Sequence, residues 1–145
     1  MSKVAILMGS QSDMDIMKKG KDLLDSQGIE CDIFVASAHR NPEKVHDIVT
    51  NPDYDVFIAG AGMAAHLPGV VASLTTKPVI GVPIKSSLDG LDALLAIVQM
   101  PPGIPVATVA INGSKNAAIL AMQILANGDV SIAQKLTSMR QEMKQ

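Results

Sequence analysis

Short runs that are almost wholly apolar recur along this chain, each followed by a helical pattern, and no other feature narrows the fold as far. Val56-Phe57-Ile58-Ala59 is the plainest of these runs. A strand apolar on both faces is expected where helices cover both sides of a sheet. Runs at 3–8, 30–36, 55–59, 78–82 and 106–111 read as strands. Helical periodicity fills 13–27, 42–50, 67–74, 91–98, 115–126 and 130–144. Gly28 supplies the stop of the first helix. Asn41 supplies the cap of the second and Pro42 its first position. The stiff turn Met100-Pro101-Pro102-Gly103-Ile104-Pro105 ends the fourth, and Asn127-Gly128 separates the last two. Alternating β and α units predict a three-layer αβα fold around a doubly wound, parallel, five-stranded sheet with right-handed crossovers. Residues 1–145 are long enough for one domain with a real core. The segment 129–145 holds the most polar helix, expected outside the core or against a neighbouring subunit.

Composition excludes several classes of function. Hydrophobic residues make up 48% and there are 11 Gly, an apolar share above the usual one that predicts burial by self-association as well as by folding. The net charge of -2, without a basic run, argues against nucleic acid. The single cysteine, Cys31, falls in a strand and can form no internal disulfide, which fits a reduced, cytoplasmic setting. Met1-Ser2-Lys3 leads straight into the first strand, unlike a signal peptide, and no apolar run is long enough to span a bilayer.

The chemistry-bearing residues follow the strands. Gly9-Ser10-Gln11-Ser12-Asp13 comes after the first and Ser37-Ala38-His39-Arg40 after the second. Gly60-Ala61-Gly62-Met63-Ala64-Ala65-His66 comes after the third, Lys85-Ser86-Ser87 after the fourth, and Asn112-Gly113-Ser114 after the fifth. In a parallel sheet these segments converge on one rim, where ligands bind in open α/β folds. His39 can move a proton near neutral pH, and the Arg40 guanidinium can hold a phosphate or carboxylate bidentately. Two readings of Gly9–Asp13 are open. Ser12 or Asp13 caps the helix, or the free N–H groups and hydroxyls bind a phosphate while Asp13 bonds sugar hydroxyls. His66 precedes Leu67-Pro68-Gly69 at a helix start, which suits capping or packing as well as chemistry.

Other site types fit poorly. His39, His46 and His66 lack a Cys or paired carboxylate at ligand spacing, so no metal is expected. There is no Gly-x-Ser-x-Gly elbow and no P-loop. Ala59-Gly60 stands where a phosphoreceiver needs Asp. Gly60-x-Gly62-x-x-Ala65 matches a dinucleotide fingerprint, but it follows the third strand and lacks the acidic residue further on. A nucleotide-dependent oxidoreductase using Gly60–Ala65 is therefore the rival reading, with a non-catalytic nucleotide-binding module as a third.

Taken together, these segments resemble one family. Met8-Gly9-Ser10-x-Ser12-Asp13, Ser37-Ala38-His39-Arg40 and Ala59-Gly60-Ala61-Gly62 are similar to class I N5-carboxyaminoimidazole ribonucleotide mutase of purine biosynthesis. So are Ala64-Ala65-His66-Leu67-Pro68-Gly69, Pro78-Val79-Ile80-Gly81-Val82-Pro83, Val98-Gln99-Met100-Pro101 and Pro105-Val106-Ala107-Thr108. The resemblance runs through residues 4–126. It implies a flavodoxin-like fold, a homo-octamer, and no metal, ATP or organic cofactor. It implies a ribonucleotide substrate whose carboxylate moves from the exocyclic nitrogen to ring carbon C4 through aminoimidazole ribonucleotide and CO2. It also implies a functional link to the ATP-dependent synthetase that makes that substrate. By motif, Ser10 and Arg40 would hold the 5′-phosphate, Asp13 the ribose hydroxyls, with Ser12 and Ser37 assisting. His39 would transfer the proton. Gly62, Ala65, His66 and Leu67 would line the carboxylate and CO2 pocket. His66-Leu67-Pro68-Gly69 points to the mutase rather than to the related direct carboxylase of animals. Three features depart from the family pattern: Met63 replaces the usual Gly, Asn41 replaces the usual Thr before a helix about one turn short, and the last helix ends early.

Overall fold

A computed structural model describes residues 2–144. The strands are β1 (Lys3–Met8), β2 (Glu30–Val35), β3 (Val56–Ala61), β4 (Val79–Pro83) and β5 (Ala107–Thr108). The helices are α1 (Met14–Ser26), α2 (Pro42–Val49), α3 (Leu67–Ser73), α4 (Leu91–Val98), α5 (Ser114–Ala126) and α6 (Val130–Glu142). The strands form one five-stranded sheet in the order β2-β1-β3-β4-β5. Every pairing is parallel.

Alternation along each strand sorts the core into two halves. Val4, Ile6, Ile58, Ile80 and Val82 pack on one face against Met17 and Leu24 of α1 and Ala117, Ala121 and Met122 of α5. Ala5, Leu7, Phe57 and Ala59 pack on the other against Val45 of α2, Val71 of α3 and Ile97 of α4. The apolar runs are thus buried on both sides, as a doubly wound sheet requires. Local signals act where expected. Asn41 Oδ1 accepts from the Lys44 N–H at 3.2 Å, capping α2. Gly28 turns left-handed (φ 70°) after α1, and the Ile29 N–H then closes on the Leu24 carbonyl at 2.9 Å.

Two strand boundaries and the setting of the last helix call for comment. β3 runs on to Ala61 because Gly60 pairs with Met8 and Val82, and Ala61 with Pro83. β5 is only two residues long rather than 106–111. Beyond Thr108 only the Val109 N–H (to Gly81) and the Asn112 N–H (to Pro83) still reach β4, and Asn112 turns left-handed (φ 61°). The last helix packs against α5 of its own chain. Ile132 is buried in the α1/α5 half of the core, and Lys135 Nζ donates to the Gln27 carbonyl at 2.7 Å.

The α1–α5 contact sets a sharp steric limit. A β-carbon at Gly20 would stand 2.7 Å from the Ser114 backbone oxygen. Alanine in place of an interior helical glycine ordinarily stabilises by roughly 0.5–1 kcal/mol. Gly20→Ala should do the reverse, because the backbones must part to admit the methyl. A loss of about 1–3 kcal/mol is expected from overpacking, read as a lowered denaturation midpoint. A raised midpoint would mean the two helices separate freely.

Candidate functional site

The loops after β1, β2, β3 and β4 converge at the C-terminal rim and enclose a cavity of about 510 Å³. Gly9, Ser10, Ser12 and Asp13 line it from the first loop, and Ser37, Ala38, His39 and Arg40 from the second. Ala61, Gly62, Met63, Ala64 and Leu67 line it from the third, and Ser86 from the fourth.

The first loop is a 3-10 turn, Gln11–Asp13, leading into α1. Its cap is Ser10, not Ser12 or Asp13. Ser10 Oγ accepts from the Ser12 N–H at 3.3 Å and lies 2.9 Å from Ser12 Oγ. Asp13 makes no side-chain cap bond. Burial raises its carboxyl above the ordinary value. A carboxyl whose folded pKa is raised costs stability when ionised. That cost is full at neutral pH and fades as the pH falls through the folded value toward the unfolded one. Asp13→Asn should therefore raise the melting temperature at neutral pH, and the gain should shrink in acid. Melts at both pH values read this directly; a lower neutral melting temperature would mean that Asp13 holds the turn together.

The second loop is ordered by its own serine. Ser37 Oγ accepts from the Arg40 N–H at 3.1 Å, and the Ser37 carbonyl accepts from the Asn41 N–H at 2.9 Å. This turn presents His39 and Arg40 to the cavity. The Arg40 guanidinium has no ion-pair partner among the described residues. It is a permanent positive charge at the cavity wall.

The third loop supplies the contact that sequence spacing did not reveal. His39 Nε2 lies 2.8 Å from His66 Nδ1, with the ring planes at 81°. One imidazole donates and the other accepts, so each ring fixes the other's tautomer. His66 makes no side-chain cap bond to α3. Contrary to the sequence expectation, neither His66, which is exposed, nor Ala65, which is buried, lines the cavity; His66 touches the lining through His39. Gly62 lets the third and fourth loops touch: a β-carbon there would sit 3.3 Å from the Ile84 oxygen and 3.4 Å from Ser86 Oγ. Ala64 turns left-handed (φ 49°).

Two sequence expectations change. Asn112-Gly113-Ser114 does not line the cavity; Asn112 Oδ1 accepts from the Lys85 N–H, and Ser114 Oγ bonds the Ile16 carbonyl. Gly60 belongs to a strand rather than a phosphate-cradling loop, which disfavours the dinucleotide reading. Ser86 joins the lining without having been singled out, although its polar segment marked the rim. His46 is exposed on α2, away from the cavity. Among the described residues no group of three or more His, Cys, Asp or Glu could hold a metal, and no helix is long and apolar enough to cross a membrane.

A family model described as AIR carboxylase matches residues 3–145. The chain is 62% identical over 141 residues to the N5-carboxyaminoimidazole ribonucleotide mutase of Methanocaldococcus jannaschii, covering 97% of this chain and 90% of that one. It is 54% identical over 148 residues to the enzyme of the same name from Pyrococcus abyssi, with coverage of 99% and 85%. Its fold matches the crystal structure of Treponema denticola PurE with a TM-score of 0.89 at 33% identity, over 98% of this chain and 91% of that one.

Proposed function

The chain belongs to the AIR carboxylase family, and from that premise we propose that it is an N5-carboxyaminoimidazole ribonucleotide mutase of purine biosynthesis. One observation carries the assignment to this site. A free guanidinium, a serine-capped turn, a partly buried carboxylate and a paired imidazole all face one cavity of about 510 Å³. A ribonucleotide monophosphate needs those groups: a cation and N–H donors for the phosphate, a carboxylate for the ribose diol, and a proton shuttle for the base.

Ser10 and Arg40 hold the 5′-phosphate, Asp13 the ribose hydroxyls, and Ser12 and Ser37 support the two turns. His39 carries the proton. The N–CO2 bond breaks, its electron pair stays on the exocyclic nitrogen, and His39 protonates that nitrogen. Aminoimidazole ribonucleotide and CO2 now share the pocket lined by Gly62 and Leu67, with His66 against His39. C4 attacks CO2, and the C4 proton leaves to His39. One proton enters and one departs, so a single imidazole serves both steps.

On the same reading the enzyme works in the cytoplasm as a homo-octamer and takes its substrate from an ATP-dependent synthetase. Leu88, Leu91, Leu95 and Val98 leave a large apolar stripe exposed along and beside α4, which supports burial against further copies. Turnover of N5-carboxyaminoimidazole ribonucleotide, set against aminoimidazole ribonucleotide plus bicarbonate, tests the assignment. Product is expected from the first. Product from the second alone would make the protein a direct carboxylase.

A further inference from the structure

The rim cavity has two unlike halves. The first two loops bring hydroxyls, a carboxylate, an imidazole and a guanidinium, whereas the third brings Ala61, Gly62, Met63, Ala64 and Leu67. Within that apolar half, Leu67 is buried at 3% exposure but Met63 stands 73% exposed. Among the described residues, Met63 alone of the exposed large apolar side chains also lines the cavity. Its backbone is held on both sides. Gly62 is pressed against the fourth loop, and Ala64 is left-handed. The side chain itself is unbranched and free to fold inward, and its thioether is polarizable.

An exposed thioether at the mouth of a ligand cavity gains by covering whatever apolar surface the ligand offers. Resting on the mutase reading, we propose that Met63 is the cover of the carboxylate-transfer end of the site. It folds over the imidazole face and the uncharged CO2, and confines CO2 until C4 captures it. The charged phosphate end stays with the polar half. Met63 moves no proton and forms no bond. It sets the ratio of capture to escape, since water exclusion and confinement both act between the breaking of the N–CO2 bond and the making of the C4–CO2 bond.

The test uses substrate labelled with ¹³C in the migrating carboxylate, in buffer holding unlabelled bicarbonate. Retention of label in the C4 carboxylate is measured for the wild type, Met63→Ala and Met63→Leu, with solution mass measured alongside. Wild type and Met63→Leu should retain most of the label. Met63→Ala should release several-fold more free aminoimidazole ribonucleotide per product formed and lose label in proportion. Its KM should rise by about tenfold, the scale of one lost buried apolar side chain. Equal retention in Met63→Ala overturns the inference and leaves the mutase reading intact. A smaller solution mass for Met63→Ala overturns it too, since Met63 would then be a subunit contact. A wild type that forms no product overturns the mutase reading, and the inference with it.

Discussion

His39→Asn should still bind the ribonucleotide and still assemble, while kcat falls by about 10² or more, the scale of lost acid–base catalysis. Asparagine keeps a hydrogen-bonding side chain, matching the Nδ1 side of the imidazole, on the same Ser37-ordered turn. It cannot take up a proton in one step and give it back in another. The 2.8 Å contact between His39 Nε2 and His66 Nδ1 sharpens the expectation. Asn stops short of the Nε2 position and drops that bond, whereas the amide of His39→Gln reaches it, so a matching loss in both variants reads the proton rather than the missing contact. Calorimetric binding beside single-turnover kinetics separates the two effects. A variant that keeps most of its turnover places the shuttle elsewhere, with His66 the next candidate.

Arg40→Ala should raise the KM sharply and weaken product binding, with a far smaller change in fold stability. The guanidinium makes no ion pair among the described residues, so its removal orphans no carboxylate. What disappears is a charge-assisted contact to phosphate, about 2 kcal/mol or roughly thirty-fold in affinity. The Arg40 backbone N–H still bonds Ser37, so the turn that presents His39 survives the substitution. Unchanged affinity for the ribonucleotide would reject Arg40 as the phosphate ligand.

The layers of the fold could be read from the chain because their cause is local. A run such as Val56-Phe57-Ile58-Ala59, short and rich in β-branched and aromatic residues, favours a strand buried on both faces, and Asn41-Pro42 favours a helix start. Four of the five rim segments likewise line one cavity, because strand C-termini in a parallel sheet share an edge. Pairings decided by distance were not legible. His39 and His66 lie 27 residues apart, and no periodicity links them. The end of β3 was misread because glycine and alanine usually mark a turn. Here they continue the strand, since a side chain at Gly60 would strike the Met17 thioether. The fifth segment looked like a rim loop in composition, but Asn112 and Ser114 spend their polar atoms on the chain's own backbone.

Tyr54 gives the protein an unusual optical character. There is no Trp, and Tyr54 is the only Tyr beside two Phe. Its ring is buried, edge-on to Phe34 and Phe57, with the Lys3 ammonium 5.2 Å from its centroid. Its hydroxyl donates to Asp32 at 2.6 Å, and burial together with that carboxylate pushes the phenol up to about 12. Tyr54 precedes β3, at the end of the sheet opposite the cavity. A single chromophore therefore reports the integrity of the sheet while remaining insensitive to what fills the rim. It also leaves the ultraviolet absorbance of an imidazole ligand almost unobscured by protein, so one sample can report folding and ligand turnover in separate bands.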